Sequence, residues 1–410
     1  MSRNIPQSWR LPRPQAVLNN AFVTLLFFPR QSPPLRPALI KLRIAETLGG
    51  IDAAAWNRLA GGNPFLRYEF LDALIDTGCA SERTGWQPQI LVLERDGEFA
   101  GAMPLFQKSH SYGEYVFDWA WADAYSRHGL EYYPKLLCAV PFTPVTGPRV
   151  LAENDADRGL LVGKALDLAK GFSSLHVLFP PQAEAEIMRS RGMLMRRTVQ
   201  FHWQNAGYAD FDDFLSRLSH QKRKNLKQER RKVREAGVTF RWLRGEEIRG
   251  EHWEFFNRCY RNTYRAHHST PYLNLEFFRR IGKALPEHTL MIVGERQGAP
   301  IAAAFNLYTP TTLYGRYWGA IEYVPLMHFE ACYYQAIDFA IAQKLDYFEG
   351  GAQGQHKLFR GLLPVETLSA HWLAHPQFSK AIEDFLERET EGIARYVNEL
   401  NEHSPFKSEI

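Results

Sequence analysis

The chain contains its own repeat. Leu91-Val92-Leu93-Glu94-Arg95-Asp96-Gly97, followed by Ala100-Gly101-Ala102, returns as Ile292-Val293-Gly294-Glu295-Arg296-Gln297-Gly298 followed by Ile301-Ala302-Ala303. Each residue stands 201 positions beyond its counterpart (292 against 91, 303 against 102). Further on, Tyr112-Gly113-Glu114-Tyr115 matches Tyr314-Gly315-Arg316-Tyr317, and upstream Pro64-Phe65-Leu66 with Glu69-Phe70 matches Pro271-Tyr272-Leu273 with Glu276-Phe277. Three matches in one order indicate a duplicated domain. Solenoid and propeller repeats run to about 20–50 residues, so a period this long means two copies of one fold.

With 410 residues there is room for two domains of ordinary size. A composition 45% hydrophobic and 23% charged is that of a globular chain. The net charge of +4 is too small for a general nucleic-acid binder, so an anionic partner must be read from local clusters. Cys79, Cys138, Cys259 and Cys332 are far apart and form no CxxC pair, which argues against a disulfide framework or zinc ribbon and for a reducing, cytoplasmic location. Residues 1–38 are rich in Pro and Arg, and their apolar run, Ala21 to Phe28, is too short to span a bilayer. No small-x-small cleavage site follows it. The expectation is a disordered leader over 1–39, or translation from too early a start.

Pattern and punctuation predict a first copy over 40–205. It has a strand at 41–46, a short helix capped by Asp52, a helix opened by Asn63-Pro64, and a hairpin (89–94 and 99–106) about Asp96-Gly97. An irregular aromatic region follows, then helix 157–170, strand 173–179, helix 182–191 and strand 195–203. The second copy, 206–375, starts with one long helix, about 211–235. Strand 238–243, helices 251–265 and 274–284, three antiparallel strands (289–296, 300–308, 312–318), helix 329–343 and strands 345–349 and 366–373 come next. A closing helix occupies 376–410. This order is a mixed α/β (α+β) sheet with a central antiparallel meander flanked by helices, not the strict βαβ alternation of a dinucleotide-binding fold. Neither GxGxxG nor a Walker A run is present.

The order of elements resembles the GNAT acyltransferase fold, and two tandem copies resemble its FemAB-like branch, described as peptidoglycan biosynthesis/recognition proteins or GNAT-type N-acetyltransferases. The resemblance is carried by the aromatic run His110 to Tyr125, by Tyr132-Tyr133-Pro134-Lys135, by Val140 to Arg149 and by Gln200-Phe201-His202-Trp203. In the second copy it is carried by Arg223-Lys224-Asn225, Leu313 to Gly319, His328-Phe329-Glu330 and Gly350 to Lys357. It runs from about residue 40 to the C-terminus. The family pattern has Glu where Gln355 stands and Gly-Phe where Gly361-Leu362 stands. The first departure removes a carboxylate beside His356. The resemblance implies that the third meander strand splays from its neighbour and lines the acyl site.

Three motifs can carry chemistry. His110 to Tyr125 sets His110, Glu114, Asp118 and Asp123 among Tyr112 and Trp121, and aromatic walls with a few fixed charges suit a sugar, peptide or aminoacyl ligand. If the stretch is extended, Tyr112, Glu114 and Val116 share one side; the bland reading is an aromatic core strand with a solvated edge. Its second-copy counterpart, Tyr314 to Trp318, has Arg316 in place of Glu114, so an acid and a base could face one ligand. Glu349 to Arg360 is glycine-rich after a strand, a turn able to bring N–H groups to an anion with Lys357 and Arg360 as counter-charges and His356 as proton shuttle. Glu330 joins these through the resemblance. The third motif is a basic helix: between Arg217 and Arg234 stand Lys222, Arg223, Lys224, Lys227, Arg230, Arg231 and Lys232 against Glu229. It suits phosphates, such as those of tRNA, or is a solvated face.

Acyl-CoA pyrophosphate patterns at Gln204 to Ala209 and Arg279 to Ala284 are discounted, the first for its following aspartates, the second for lying inside a predicted helix. His371 and His375 flank a strand end before Pro376 and make no metal pair. The expected activity is transfer of an acyl or aminoacyl group to an amine, with acyl-CoA or aminoacyl-tRNA as co-substrate, no permanently bound cofactor and no metal. Glu114, His356 and Tyr314 are the expected catalytic residues. His110, Tyr112, Asp118, Trp121, Asp123, Arg316, Glu330, Lys357 and Arg360 are expected to bind substrate. The competing expectation is a non-catalytic module that recognises a cell-wall precursor or peptide.

Overall fold

In the computed structural model, residues 23–25, 39–352 and 354–407 are described. Most of the expected leader therefore lies outside the described residues; within it, β1 (Val23–Leu25) pairs antiparallel with β2 (Ile40–Ala45). The first half continues with helices α1 (Ala53–Ala60) and α2 (Tyr68–Asp76) and strands β3 (Trp86–Pro88), β4 (Ile90–Arg95) and β5 (Glu98–Met103). Pro104 then bends the chain out of one sheet and into another as β6 (Leu105–Lys108). The remainder of this half is α3 (Trp119–Arg127), β7 (Lys135–Cys138), β8 (Leu151–Ala152), α4 (Asp155–Ala169), β9 (Ser174–Leu178), α5 (Gln182–Ser190) and β10 (Leu194–Gln204).

The second half begins with α6 (Phe211–Arg217) and α7 (His220–Glu235), then β11 (Val238–Arg244), α8 (Gly250–Ala266) and α9 (Leu275–Ala284). Its meander is β12 (Thr289–Arg296), β13 (Ala299–Tyr308) and β14 (Thr312–Ala320). A short α10 (Met327–Phe329) runs through a π turn (Glu330–Tyr334) into α11 (Gln335–Ala342), followed by β15 (Tyr347–Glu349), a 3-10 turn (Gln355–Arg360), β16 (Leu363–Leu373) and α12 (Pro376–Glu402). The single helix expected over 211–235 is broken at Leu218-Ser219. There the C-terminal tail replaces the helical hydrogen bonds: Ser219 N–H donates to the Pro405 carbonyl at 2.9 Å.

The duplication is visible in the backbone. Both hairpin turns place their two central residues at positive φ, Asp96-Gly97 at 53° and 88°, Gln297-Gly298 at 53° and 78°, as tight hairpins with right-handed strand twist require. Both meanders carry a register shift at equivalent positions, between Leu93 and Glu94 and between Gly294 and Glu295. The match at Tyr112 does not hold. Residues 109–118 form an irregular loop, and the strand equivalent to β14 is β7, which runs parallel to β9 as β14 runs parallel to β15. Tyr112 is exposed while Glu114 and Val116 are buried, so the alternation expected of an extended stretch is absent, and the run ends in α3.

One eleven-stranded sheet crosses the whole molecule in the order β11-β12-β13-β14-β15-β10-β16-β9-β7-β6-β3. The halves thus exchange their last strands: β10 lies beside β15, and β16 lies beside β9. Each meander remains within its own half. The repeat residues also meet across the junction, where the rings of Phe70 and Phe277 touch edge to face with centroids 5.5 Å apart. One continuous apolar core includes α1 and α2 of the first half and α8 and α9 of the second.

Candidate functional site

β14 and β15 pair over Thr312–Tyr314 and Tyr347–Glu349 and then part. On its other edge, β14 has a bulge: Asn306 pairs with Gly315 and Phe305 with Tyr317, leaving Arg316 with no partner on β13. A bulge of this kind frees backbone polar groups and bends the strand. Beside it opens a cavity of about 100 Å³ lined by Ala304, Asn306, Gly315–Trp318, His328, Cys332, Tyr333 and Gly350. Gly350 admits close approach. A Cβ there would lie 3.5 Å from both Lys357 Cδ and Tyr333 Cε1 and 2.7 Å from Leu362 Cδ2.

Behind this lining stand two further titratable side chains, Lys357 beside Gly350 and His356 beside the Tyr333 hydroxyl. Lys357 is buried, its Nζ donates to the Gly351 carbonyl at 2.9 Å, and burial with the nearby Arg316 guanidinium pulls its pKa from 10.5 to about 7. Tyr333 lines the cavity, and burial raises its pKa, so its hydroxyl keeps its proton. That hydroxyl is 3.1 Å from His356 Nε2, and burial followed by the charges of Arg360 and Lys357 lowers the imidazole pKa, favouring the neutral ring. Arg316 is held rigidly: its guanidinium donates to Glu349 Oε2 at 2.8 Å, to the Glu349 carbonyl at 3.2 Å and to Thr143 Oγ1 of the first half at 2.7 Å. Tyr333, Asn306 and the bulge were missed by sequence reasoning. An apolar helix pattern gives no sign that one of its tyrosines faces a strand opening.

The first half fills its equivalent opening. β7 and β9 part after Cys138 and Val177, and the fully buried Arg149 packs beside their ends, its carbonyl accepting from Cys138 Sγ and its guanidinium reaching the Leu178 carbonyl. Its guanidinium donates to the carbonyls of Leu178 at 2.7 Å, Gly147 at 2.8 Å and Pro148 at 3.2 Å, and also to that of Val145. Two parallel strands part in each half, and one gap is a cavity while the other is a plug.

Several expected site residues lie elsewhere. Glu114 is sealed in the first half, where it accepts from Lys135 Nζ at 2.8 Å, and burial raises its pKa to about 7. Asp118 accepts from the same ammonium and, at 2.6 Å, from Tyr132. Glu114 and Arg316 therefore do not face one ligand: each is neutralised by a partner in its own half. Trp121 packs edge to face on His371 within the small core under α12, and Asp123 is an exposed partner of Arg127 one helical turn away. His110 and Tyr112 meet edge to face, and the exposed Tyr112 in turn meets Trp119 edge to face. Tyr314 sits in the core with its ring 5.3 Å from Phe65, next to the cavity in sequence but not among its lining residues. Glu330 binds Arg230 and Gln335 to pin the π turn, and Arg360 bridges Glu229 and the His356 carbonyl. His371 pairs not with His375 but with His176 across β16 and β9, Nδ1 to Nδ1 at 2.7 Å.

A paired meander, parallel strands that part beside a bulge, and the repetition of that plan define a tandem GNAT-fold protein, with the candidate opening in its second half. The chain belongs to the FemAB-like family, whose model, described as peptidoglycan biosynthesis/recognition, matches residues 47–408. Among solved structures, the L-PGS of Bacillus licheniformis superposes with a TM-score of 0.52 at 10% identity, over 84% of this chain and 96% of that one. FemX superposes with a TM-score of 0.47 at 11% identity, over 77% and 94%. A tandem GNAT protein from the clavulanic acid biosynthesis pathway gives 0.40 at 8%, over 82% and 99%. No curated protein matches the sequence. Among the described residues, no helix is long and apolar enough to cross a membrane.

Proposed function

We propose that this chain transfers an acyl or aminoacyl group to an amine borne by a peptidoglycan precursor or peptide, at one site in its second half, with 40–205 and 206–375 as the duplicated units. The observation that carries the reading is a small cavity at a parted, bulged strand pair, lined by Tyr333 and Gly350, with the buried Lys357 packed directly behind Gly350. The donor's acyl group enters the cavity, whose volume suits a short chain. The acceptor nitrogen attacks the carbonyl carbon, a C–N bond forms, and the bond from carbon to the donor's sulfur or oxygen breaks. Backbone N–H at the bulge stabilises the developing oxyanion. Neutral Lys357 takes the proton lost by the amine, and Tyr333, backed by His356, returns one to the leaving group. Arg316 and Glu349, paired with each other, position the strand edge. Holding donor and acceptor together in one opening supplies much of the acceleration.

The test offers acetyl and aminoacyl CoA thioesters, and aminoacyl-tRNA, with a muropeptide amine or a lysine-containing peptide, and reads the acceptor mass. A mass gain equal to the acyl group, abolished by Lys357→Met and strongly reduced by Tyr333→Phe, supports the reading and identifies the donor class. Saturable acceptor binding with no mass gain from any donor would establish the recognition module instead.

A further inference from the structure

The exchange of strands carries a first-half side chain to the edge of the second half's opening. β10 pairs antiparallel with β15, and His202 stands directly opposite Glu349. Residues so placed share one face of the ladder, with Cβ atoms about 5 Å apart. Trp203 and Phe348, the next pair along, lie in the core that also holds Tyr333 of the π turn. His202 and Glu349 therefore project from the other face of the sheet, away from the Tyr333 side of the cavity. Glu349 is also the last residue of β15 paired with β14, so its carboxylate stands where those two strands part. This face is reachable from water. Tyr347, two residues before Glu349, is 44% exposed, and its partner Gln204 is exposed as well.

Hydrogen bonding decides what each group presents. Gln200 donates through Nε2 to the Pro144 carbonyl of the first half at 2.8 Å. A carbonyl only accepts, so the Gln200 amide is oriented, and its Oε1 lies 3.2 Å from His202 Nε2. That oxygen also only accepts, so Nε2 carries the ring proton and Nδ1 of the neutral imidazole keeps a lone pair. Burial lowers the His202 pKa, with Glu349 opposing the shift and Arg316 and Lys357 adding to it, and the ring is neutral at pH 7. Glu349 gives its Oε2 to the Arg316 guanidinium at 2.8 Å. Among the described residues, neither His202 Nδ1 nor Glu349 Oε1 receives a hydrogen bond. Two unfilled acceptors side by side, next to an ion pair whose charges cancel, suit a group that offers two N–H donors. A primary amine is such a group: both N–H bonds are taken up, and its lone pair is left for a carbonyl carbon.

We propose that His202 Nδ1 and Glu349 Oε1 hold the acceptor's primary amine where β14 and β15 part, so that the first half supplies part of the second half's substrate site. The proposal rests on the transfer reading for the place of the acyl group, but its test reads binding alone. The full chain, without donor, is titrated calorimetrically with a lysine-containing muropeptide whose side-chain amine is free, and with the same muropeptide acetylated on that amine. The free amine should bind more tightly by about tenfold or more. His202→Gln keeps a polar group at the Nε2 position, against Gln200, and none at Nδ1; His202→Asn does the reverse. Affinity for the free amine should fall about tenfold or more in His202→Gln and stay within about threefold of wild type in His202→Asn, the opposite of what a purely structural bond to Gln200 would give. Glu349→Gln turns its carbonyl to Arg316, puts an NH₂ where Oε1 stood, and should abolish the preference for the free amine. Circular dichroism checks folding. Should a variant not fold, wild-type protein decides: carbethoxylation of His202 by diethylpyrocarbonate, located by mass spectrometry, should be slowed by the free amine and not by the acetylated probe. The proposal is overturned if wild type binds neither probe, if it binds both equally, if the free amine leaves His202 modification unchanged, or if His202→Gln binds the free amine like wild type. Amine-dependent binding without acyl transfer from any donor would remove the reaction and keep the amine site. Transfer with a wild-type acceptor KM in His202→Gln would keep the reaction and remove the site.

Discussion

Lys357 links the site's structure to a measurable pH profile. A lysine with the ordinary pKa of 10.5 is neutral in roughly one molecule in three thousand at pH 7. Burial and the Arg316 guanidinium bring Lys357 to about 7, so a substantial share of the molecules carries a free amine there. The shift corresponds to about 5 kcal/mol of preference for the neutral form. If that amine accepts the substrate's proton, kcat/KM rises by about tenfold per pH unit below 7 and levels off above 8. Lys357→Arg, which cannot deprotonate in this range, should remove the inflection and lower the rate by about 10²–10⁴. Stability supplies an independent reading. The folded pKa lies below the unfolded one, so the unfolded chain binds more protons between pH 7 and 10.5, and stability from this group rises with pH across that window. Lys357→Met should therefore stabilise the protein more at pH 6 than at pH 10, as read by denaturant midpoints. A rate that falls as pH passes 7, or an inflection that survives in Lys357→Arg, would show that Lys357 acts as a positive counter-charge and refute the assignment as base.

Four further outcomes follow from the geometry. Calorimetric titration with the true donor should saturate at one equivalent per chain, because Arg149 plugs the first half's opening; two equivalents would contradict the plug. Arg149→Ala leaves buried carbonyls unpaired and should cost about 3–5 kcal/mol in chemical denaturation, without adding a second donor site. Gly350→Ala places a methyl group against Leu362, Tyr333 and Lys357; it should lower kcat/KM at least tenfold in steady-state assays while the melting temperature moves little. Glu114→Gln should leave kcat/KM unchanged and lower thermal stability by weakening the buried pair with Lys135; a large loss of activity in a folded variant would return Glu114 to the site.

Much of the architecture was legible because the repeat lies where local rules are strict. Asp96-Gly97 and Gln297-Gly298 sit at hairpin tips that favour positive φ, so alternation and turn chemistry located both hairpins, though not β7, the third strand of the first meander. The caps at Asp52, Asn154 and Asn274 each accept from backbone N–H of the first helical turn, and the predicted helix starts fell within a few residues of them. The aromatic run after His110 was legible as an irregular region, but it was not legible that its buried carboxylates are satisfied by Lys135 and Lys108, residues that periodicity does not connect to it. For the same reason the pairing of Tyr112 with Tyr314 was a likeness of letters without a likeness of position.

The sequence by itself determined that there are two copies of one α/β unit, where their hairpins turn, and that a glycine-rich segment with His356 and Lys357 follows a late strand. Local hydrogen bonding and hydrophobic period act over a few residues, so they can be read from the chain. The tertiary structure alone decided that the halves exchange their last strands, that Arg149 closes one opening while the other stays a cavity, and that Lys357 is desolvated beside Arg316. Those outcomes depend on which distant groups share a low-dielectric space, and a carboxylate or ammonium carries no mark in the sequence of whether its partner will be water, a carbonyl or another charge.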